Sequence, residues 1–82
     1  MTAFNPDPPF GPVLRRLRQE RGYTIDEAAK RAQVTANYLG DVERGQRNPT
    51  MKVVGRILAG LRVSWVEFAQ RLESSADVHP PL

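Results

Sequence analysis

Apolar residues recur at helical spacing in five short segments of this chain, and each segment has its own boundary signals. Residues three and four apart lie on one face of an α-helix, so this spacing predicts amphipathic helices. Thr, Ser or a Gly-Pro pair precedes the segments, and Gly or a polar turn follows most of them. The helices predicted in this way cover residues 12–21, 25–32, 36–44, 51–61 and 65–72. The pattern therefore predicts an all-α fold, a compact five-helix bundle.

The third segment, residues 36–44, has the most complete signals. Thr35 is a favoured N-cap, Gly45 permits the left-handed conformation that ends many helices, and Pro49 forbids continuation. Leu39 and Val42 form one apolar edge. The opposite face holds only small or polar side chains and Arg44, namely Ala36, Asn37, Gly40, Asp41 and Arg44. Because Asn, Gly and Asp are weak helix formers, this face is better suited to contact than to helix stability alone.

The segment before it completes a two-helix motif. Thr24 and Glu27 have the spacing of a capping box, and apolar residues follow at positions 25, 28, 29 and 32. Only Gln33 and Val34 separate this helix from Thr35, so the two helices must cross at a steep angle. That arrangement, over about 25–44, is the helix-turn-helix geometry, in which the second helix enters a DNA major groove.

These motifs resemble the Cro and lambda-repressor-type (XRE-like) helix-turn-helix family. The matching positions lie between residues 10 and 72 and include Arg15-x-x-Arg18, Thr24 to Ala29, Val34-Thr35, Leu39-x-x-Val42-Glu43-Arg44-Gly45 and Asn48-Pro49-Thr50. The segment from Tyr38 to Thr50 looks like restriction–modification controller proteins, with small phage-type repressors next. The resemblance implies an ion pair between Arg18 and Glu43. An acid at a helix C-terminus beside an inward-facing valine needs such a cation.

Two positions depart from the family pattern. The family favours Gly where this chain has Gln33, and a left-handed residue other than Gly costs on the order of 1 kcal/mol. At Ile25 the family often has a Gln that reaches the DNA, and Ile cannot make that contact. The first departure lowers stability slightly, and the second removes one expected contact.

Chemistry divides the motif into base-reading and phosphate-binding residues. Asn37 can pair with adenine N6 and N7, Ala36 can touch a thymine methyl, and Gly40 permits close approach. Tyr38 lies between the faces, and Asp41 either accepts from cytosine N4 or pairs with Arg44 three residues away. Phosphate contacts are expected from residues at helix N-termini or near the following loop, namely Thr24, Thr35, Arg44, Arg47, Asn48 and Thr50.

The last helix is more apolar than a single core seam requires. We expect part of its surface to form a dimer interface through Trp65, Val66, Ala69 and Leu72. The alternative is that all of these residues cover the core of a monomer. One small DNA-binding domain reads only a few base pairs, so specificity normally needs two such domains on a two-fold operator.

Length and charge agree with a small DNA-binding domain. The 82 residues are enough for one domain, and the formal net charge is +3. Residues 11–73 hold 12 basic and 7 acidic residues, a net charge of +5 that attracts polyanions. Residues 1–9 and 74–82 are rich in Pro or polar residues and are predicted as flexible tails around a domain at 10–73.

The sequence offers no catalytic or metal site. It has no cysteine, which excludes a disulfide scaffold, a thiolate metal site and a cysteine nucleophile. The only histidine, His79, lies in the predicted C-terminal tail, and no Gly-rich phosphate loop occurs. Neither a signal peptide nor an apolar run of membrane length is present. We therefore expect a cytoplasmic protein with no cofactor, no metal and no enzymatic activity.

The expected function is sequence-specific transcriptional regulation by a homodimer on a palindromic operator. A restriction–modification controller or a phage-type repressor would fit. The alternative is an antitoxin-like protein-interaction module, with a protein partner of its own and secondary DNA binding. The operator, the sign of regulation and any effector do not follow from the sequence.

Overall fold

The computed structural model describes residues 9–77. Its helices, in chain order, are α1 (Phe10–Glu20), α2 (Ile25–Ala32), α3 (Ala36–Glu43), α4 (Met51–Leu61) and α5 (Trp65–Asp77). No strand occurs among these residues. The predicted all-α fold of five helices is therefore confirmed.

The hydrophobic core is shared by the five helices. α2 packs against α3 and α4, while α1 packs against α3 and α5. The largest fully buried side chains come from α1, α3, α4 and α5 and are Phe68, Leu14, Leu17, Leu39, Ile57, Leu58, Leu61 and Val42. From α2 the core receives Ala28, Ala29 and Ala32, whose short side chains let α2 approach its neighbours closely.

Side-chain caps start the last four helices at the predicted residues. Thr24 accepts a hydrogen bond from the backbone N–H of Glu27, whose carboxylate accepts one from the Thr24 N–H in return. Thr35, Thr50 and Ser64 each accept from the backbone N–H three residues later, at 3.0, 3.2 and 3.0 Å. Each such cap contributes about 1 kcal/mol. The start of α3 is therefore determined by its own local sequence.

The C-terminal ends of α2 and α4 are joined by hydrogen bonds from arginine side chains to backbone carbonyls. Both helices end at a left-handed residue other than Gly, Gln33 and Arg62, each with φ 61°. Arg56 of α4 donates to two carbonyls at the end of α2, at 3.1 Å each. In return, Arg31 of α2 donates to the carbonyl of Gly60 near the end of α4. These reciprocal bonds satisfy carbonyls that a helix end leaves free and offset the cost of the left-handed residues.

The predicted start of α1 at residue 12 is wrong, because the helix begins at Phe10. The Phe10 ring stacks on Phe68 of α5, with 5.8 Å between ring centroids, so residue 10 is drawn into the fold. Pro12 is then the third helical residue, where the N–H that proline lacks would have no intrahelical partner. Pro9 is also placed, and its carbonyl accepts from the Val13 N–H.

The predicted end of α5 at Leu72 is also wrong. The helix continues to Asp77, so residues 74–77, predicted as part of a tail, are helical in their backbone. The physical reason is that residues 73–77 contain neither Gly nor Pro, and serine is only mildly unfavourable inside a helix. The other predicted tail residues, 1–8 and 78–82 with His79, lie outside the described part of the chain.

A buried ion pair joins α1 to the end of α3. Arg18 Nε donates to Glu43 Oε2 at 2.7 Å and Arg18 Nη2 donates to Glu43 Oε1 at 3.0 Å, a two-bond pairing. The third guanidinium nitrogen, Nη1, donates to the Tyr23 carbonyl at 2.9 Å. The two side chains are only 12% and 5% exposed. The hydrogen bond with Glu43 raises the pKa of Arg18 above its ordinary value, so the guanidinium stays charged.

The same two helices also touch through their backbones. A Cβ atom on Gly11 would lie 2.3 Å from the carbonyl oxygen of Val42 and 2.7 Å from that of Glu43. Only glycine permits this approach, because the atoms in the way belong to the backbone of α3. The start of α1 and the Arg18 side chain therefore both fix the position of the C-terminal end of α3.

We predict that Arg18→Ala lowers the free energy of unfolding by roughly 3 kcal/mol, because it leaves the Glu43 carboxylate buried without its partner. Urea denaturation followed by circular dichroism measures this change. The control is Arg16→Ala, since Arg16 is exposed on the same helix and its loss should cost less than about 0.5 kcal/mol. Equal unfolding midpoints for the two variants would show that the pair contributes nothing to stability.

Candidate nucleic-acid interface

Helix α3 has one edge against the core and one edge facing solvent. Leu39 and Val42 are both 1% exposed, and Ala36 packs half-buried against the same core. Asn37, in the first turn of α3, is exposed. Among the five residues predicted to read bases, Asn37 is therefore the one presented most openly.

Tyr38 lies between the two faces, as the sequence predicted. Its ring is half-buried against the core, while the Arg47 guanidinium lies over the ring at 5.4 Å from the centroid. A cation over an aromatic face is held by the ring quadrupole, at about 0.5–1 kcal/mol when exposed. Tyr38 thereby positions Arg47, which comes from the loop after α3.

Gly40 differs from its predicted placement on an open face, because it is buried. The cover is the Arg44 side chain, since a Cβ atom on Gly40 would lie 3.1 Å from Arg44 Nη1. Arginine is long enough to fold back over the preceding turn, and glycine leaves the space for it. Direct access to Gly40 requires that Arg44 move away.

Asp41 is paired with arginine instead of pointing freely outward. Arg44 Nη2 donates to Asp41 Oδ1 at 2.7 Å, and Arg47 Nε lies 4.0 Å from Asp41 Oδ2. Of the two roles that the sequence left open for Asp41, the pairing with Arg44 is the one present in this structure. Arg44 and Arg47 are each 58% exposed, so both can still reach a phosphate.

The threonines expected to meet phosphates stand at three helix starts. Thr24, Thr35 and Thr50 are exposed, and each hydroxyl oxygen accepts a backbone N–H of its own helix. The hydroxyl hydrogen remains available to a phosphate oxygen, beside backbone donors and the positive end of the helix dipole. Asn48 is exposed in the loop before Thr50.

Many of the basic side chains serve the fold. Arg18 and Arg21 of α1 bind Glu43 and Glu67. Arg71 binds Glu20, and the arginines at the ends of α2 and α4 bind carbonyls. The predicted pairing of Arg18 with Glu43 is present in the structure. The sequence pattern missed the roles of Arg21, Arg71 and the arginines at the ends of α2 and α4, because their partners lie far away in the sequence and no local signal marks them.

The exposed face of α5 is narrower than the sequence predicted. Val66 is 67% exposed, Trp65 is 47% exposed, and Ala69 is also exposed. Leu72, the last member of the predicted row, is half-buried against the core instead. A spacing of six residues turns a side chain well away from the first one around a helix, which explains the difference. The available apolar face is therefore Trp65, Val66 and Ala69.

Among the side chains that the structure describes, no group of three or more His, Cys, Asp or Glu residues could hold a metal ion. None of the helices described is long and apolar enough to cross a membrane.

The sequence of this chain matches known helix-turn-helix proteins. A family model described as "Helix-turn-helix" matches residues 14–68. The chain is 40% identical over 57 residues to the uncharacterized HTH-type transcriptional regulator y4dJ of Sinorhizobium fredii, a match that covers 70% of this chain and 74% of y4dJ. It is 33% identical over 64 residues to the HTH-type transcriptional regulator DdrOP3 of Deinococcus deserti, covering 78% of this chain but only 50% of DdrOP3. The chain thus spans half the length of the latter relative.

The fold is also found in solved structures. The crystal structure of the wild-type restriction–modification controller protein C.Esp1396I matches with a TM-score of 0.84 and 31% identity, covering 87% of this chain and 92% of that one. The clp gene regulator ClgR from Corynebacterium glutamicum matches with a TM-score of 0.81 and 24% identity, covering 85% and 74% of the two chains, which supports the fold alone. This chain therefore belongs to the XRE-type helix-turn-helix family, a family of DNA-binding transcriptional regulators and not of enzymes.

Proposed function

We propose that this chain is a sequence-specific transcriptional regulator that places α3 in the major groove of double-stranded DNA. The observation that carries the proposal is the exposed Asn37 at the start of a helix whose far end is fixed by the Arg18–Glu43 pair. A base-reading side chain needs a rigid support, since small displacements lose directional hydrogen bonds. The similarity to a restriction–modification controller protein supports a role as such a controller. A phage-type repressor is the second candidate, and either protein would act in the cytoplasm.

The first turn of α3 would face the bases. Asn37 would pair with adenine N6 and N7, and Ala36 would contact a neighbouring thymine methyl. The Tyr38 hydroxyl would reach backbone or base from the edge of the groove. The small side chains at this end of α3 favour a close approach to the base edges.

Phosphates would be held on both sides of that turn. Thr24 and Thr50 offer exposed hydroxyls at the starts of α2 and α4, and Thr35 does so at the start of α3 itself. Arg47 and Asn48 would add a charged and an amide donor from the loop after α3. Such contacts set the register of the protein on the duplex but carry no sequence information themselves.

We further propose that two chains bind together on a palindromic operator. The support is the exposed face of Trp65, Val66 and Ala69, because large apolar side chains left in water favour association. Half-buried Leu72 would add only the edge of its side chain to this interface. A two-fold dimer would place its α3 helices in successive major grooves, about 34 Å apart.

We predict that Asn37→Ala leaves the fold intact and relaxes the choice of one base in each half-site. The loss on the preferred sequence should be roughly 1–3 kcal/mol per half-site, because only the correct adenine satisfies both amide groups. Fluorescence anisotropy on matched and randomised duplexes measures it. Arg47→Ala is the contrast, since loss of a phosphate contact weakens both duplexes alike. An Asn37→Ala variant that also weakens both alike would contradict base reading at this residue.

We predict that Ala69→Glu gives a folded monomer that has lost most of its operator affinity, because two like charges would meet across the two-fold axis. Sedimentation velocity and circular dichroism measure the mass and the fold. Ala59→Glu is the matched control, since it makes the same change at another exposed helical alanine. A wild-type protein that stays monomeric well above its operator-binding midpoint would overturn the dimer.

A further inference from the structure

We propose that Asp41 is a specificity-determining residue that competes with DNA phosphates for Arg44 and so weakens binding to duplexes of arbitrary sequence. The inference rests on the proposed function, because it concerns the same DNA-binding face. It assigns the carboxylate a role against non-operator DNA instead of a contact with a base.

In the structure the Arg44 side chain folds back over α3 toward Asp41. Arg44 Nη2 lies 2.7 Å from Asp41 Oδ1, a charge-assisted hydrogen bond within the range of the strong ones. The guanidinium lies across the helix above Gly40, where a Cβ atom would come within 3.1 Å of Arg44 Nη1. Glycine at position 40 and aspartate at position 41 together provide the space and the charge that keep Arg44 on the protein.

Arg47 is held toward the same carboxylate. Its Nε lies 4.0 Å from Asp41 Oδ2, and its guanidinium stacks on the Tyr38 ring. The two arginines predicted to bind phosphates are thus both directed onto α3 itself. One carboxylate between two guanidinium groups leaves this trio with a charge of +1 where the arginines alone would have +2.

The competition has a consequence for salt dependence. An arginine that binds a phosphate releases about one counterion, which steepens the plot of log affinity against log salt by about 0.9. When Arg44 leaves Asp41 for a phosphate, the carboxylate remains beside the duplex and its negative charge offsets the charge that Arg44 brings, so the net counterion release from the pair is close to zero. Nonspecific binding depends almost entirely on this release, and it is therefore the binding that Asp41 lowers most.

Low affinity for arbitrary DNA matters to a regulator, since a genome offers a great excess of competing sites. Asp41 would reduce that competition without contacting a base. Asn37, which lies one turn earlier on the same helix, would still provide direct reading.

The test is Asp41→Asn measured on a 30-base-pair duplex of randomised sequence by fluorescence anisotropy, between about 50 and 200 mM salt. The expected result is a threefold to tenfold higher affinity at low salt, with a slope steeper by about 0.9. Adding Arg44→Ala to this variant should remove the gain, because the freed guanidinium is its source. Circular dichroism of each variant checks that the fold is kept.

Glu20→Gln is the matched control. The Glu20 side chain is about as exposed as that of Asp41, at 37% against 32%, and it pairs with Arg71 between α1 and α5, so this change removes the same single charge away from α3. It should raise the affinity less than twofold. An equal gain in both variants, no gain in Asp41→Asn, or a gain that survives Arg44→Ala would each overturn the role of Asp41. If neither the wild-type protein nor any of these variants bound duplex DNA at low salt, the proposed function itself would be wrong.

Discussion

The position of α3 depends on the ion pair between Arg18 and Glu43. α3 is only eight residues long, too short to be stable alone, and its outer face carries weak helix formers. Its place is set by Leu39 and Val42 in the core, by close backbone contact at Gly11, and by a carboxylate that Arg18 holds with two hydrogen bonds. Breaking the pair would leave a buried charge, so alternative positions of α3 are costly. The geometry needed to present Asn37 follows from that cost.

The arginines of this mildly basic chain divide between those that stabilise the fold and those that remain exposed to solvent. Arg31 and Arg56 bind backbone carbonyls at the ends of α4 and α2, both of which end at a left-handed residue other than glycine. Arg44 and Arg47 stay exposed, but Arg44 donates a hydrogen bond to Asp41 and Arg47 lies over the Tyr38 ring. The positive charge therefore exceeds what is freely available to DNA. Under the proposed function, such a chain depends more on base contacts and on the pairing of two chains than on general attraction to phosphates.

The sequence predicted the features that are local in the chain. Thr24, Thr35, Thr50 and Ser64 start their helices as expected, because a cap needs only the next few residues. The burial of Gly40 could not be predicted, since it depends on the direction that the Arg44 side chain takes. The hydrogen bonds of Arg31 and Arg56 were missed because they join residues far apart in the sequence. The extension of α5 to Asp77 was missed for a local reason, since a helix can continue wherever no strong helix breaker stops it. Long-range contacts and side-chain directions thus account for most of what the pattern missed.

We propose that α3 reads DNA sequence and that two symmetrically paired chains do so together. Selection of bound fragments from a pool of random duplex DNA, followed by sequencing, tests it most directly because no operator need be known beforehand. The account predicts an enriched two-fold palindrome whose half-sites are centred about 10 base pairs, one helical turn, apart. A pool that stays unenriched after repeated rounds, or a single asymmetric half-site, would contradict it.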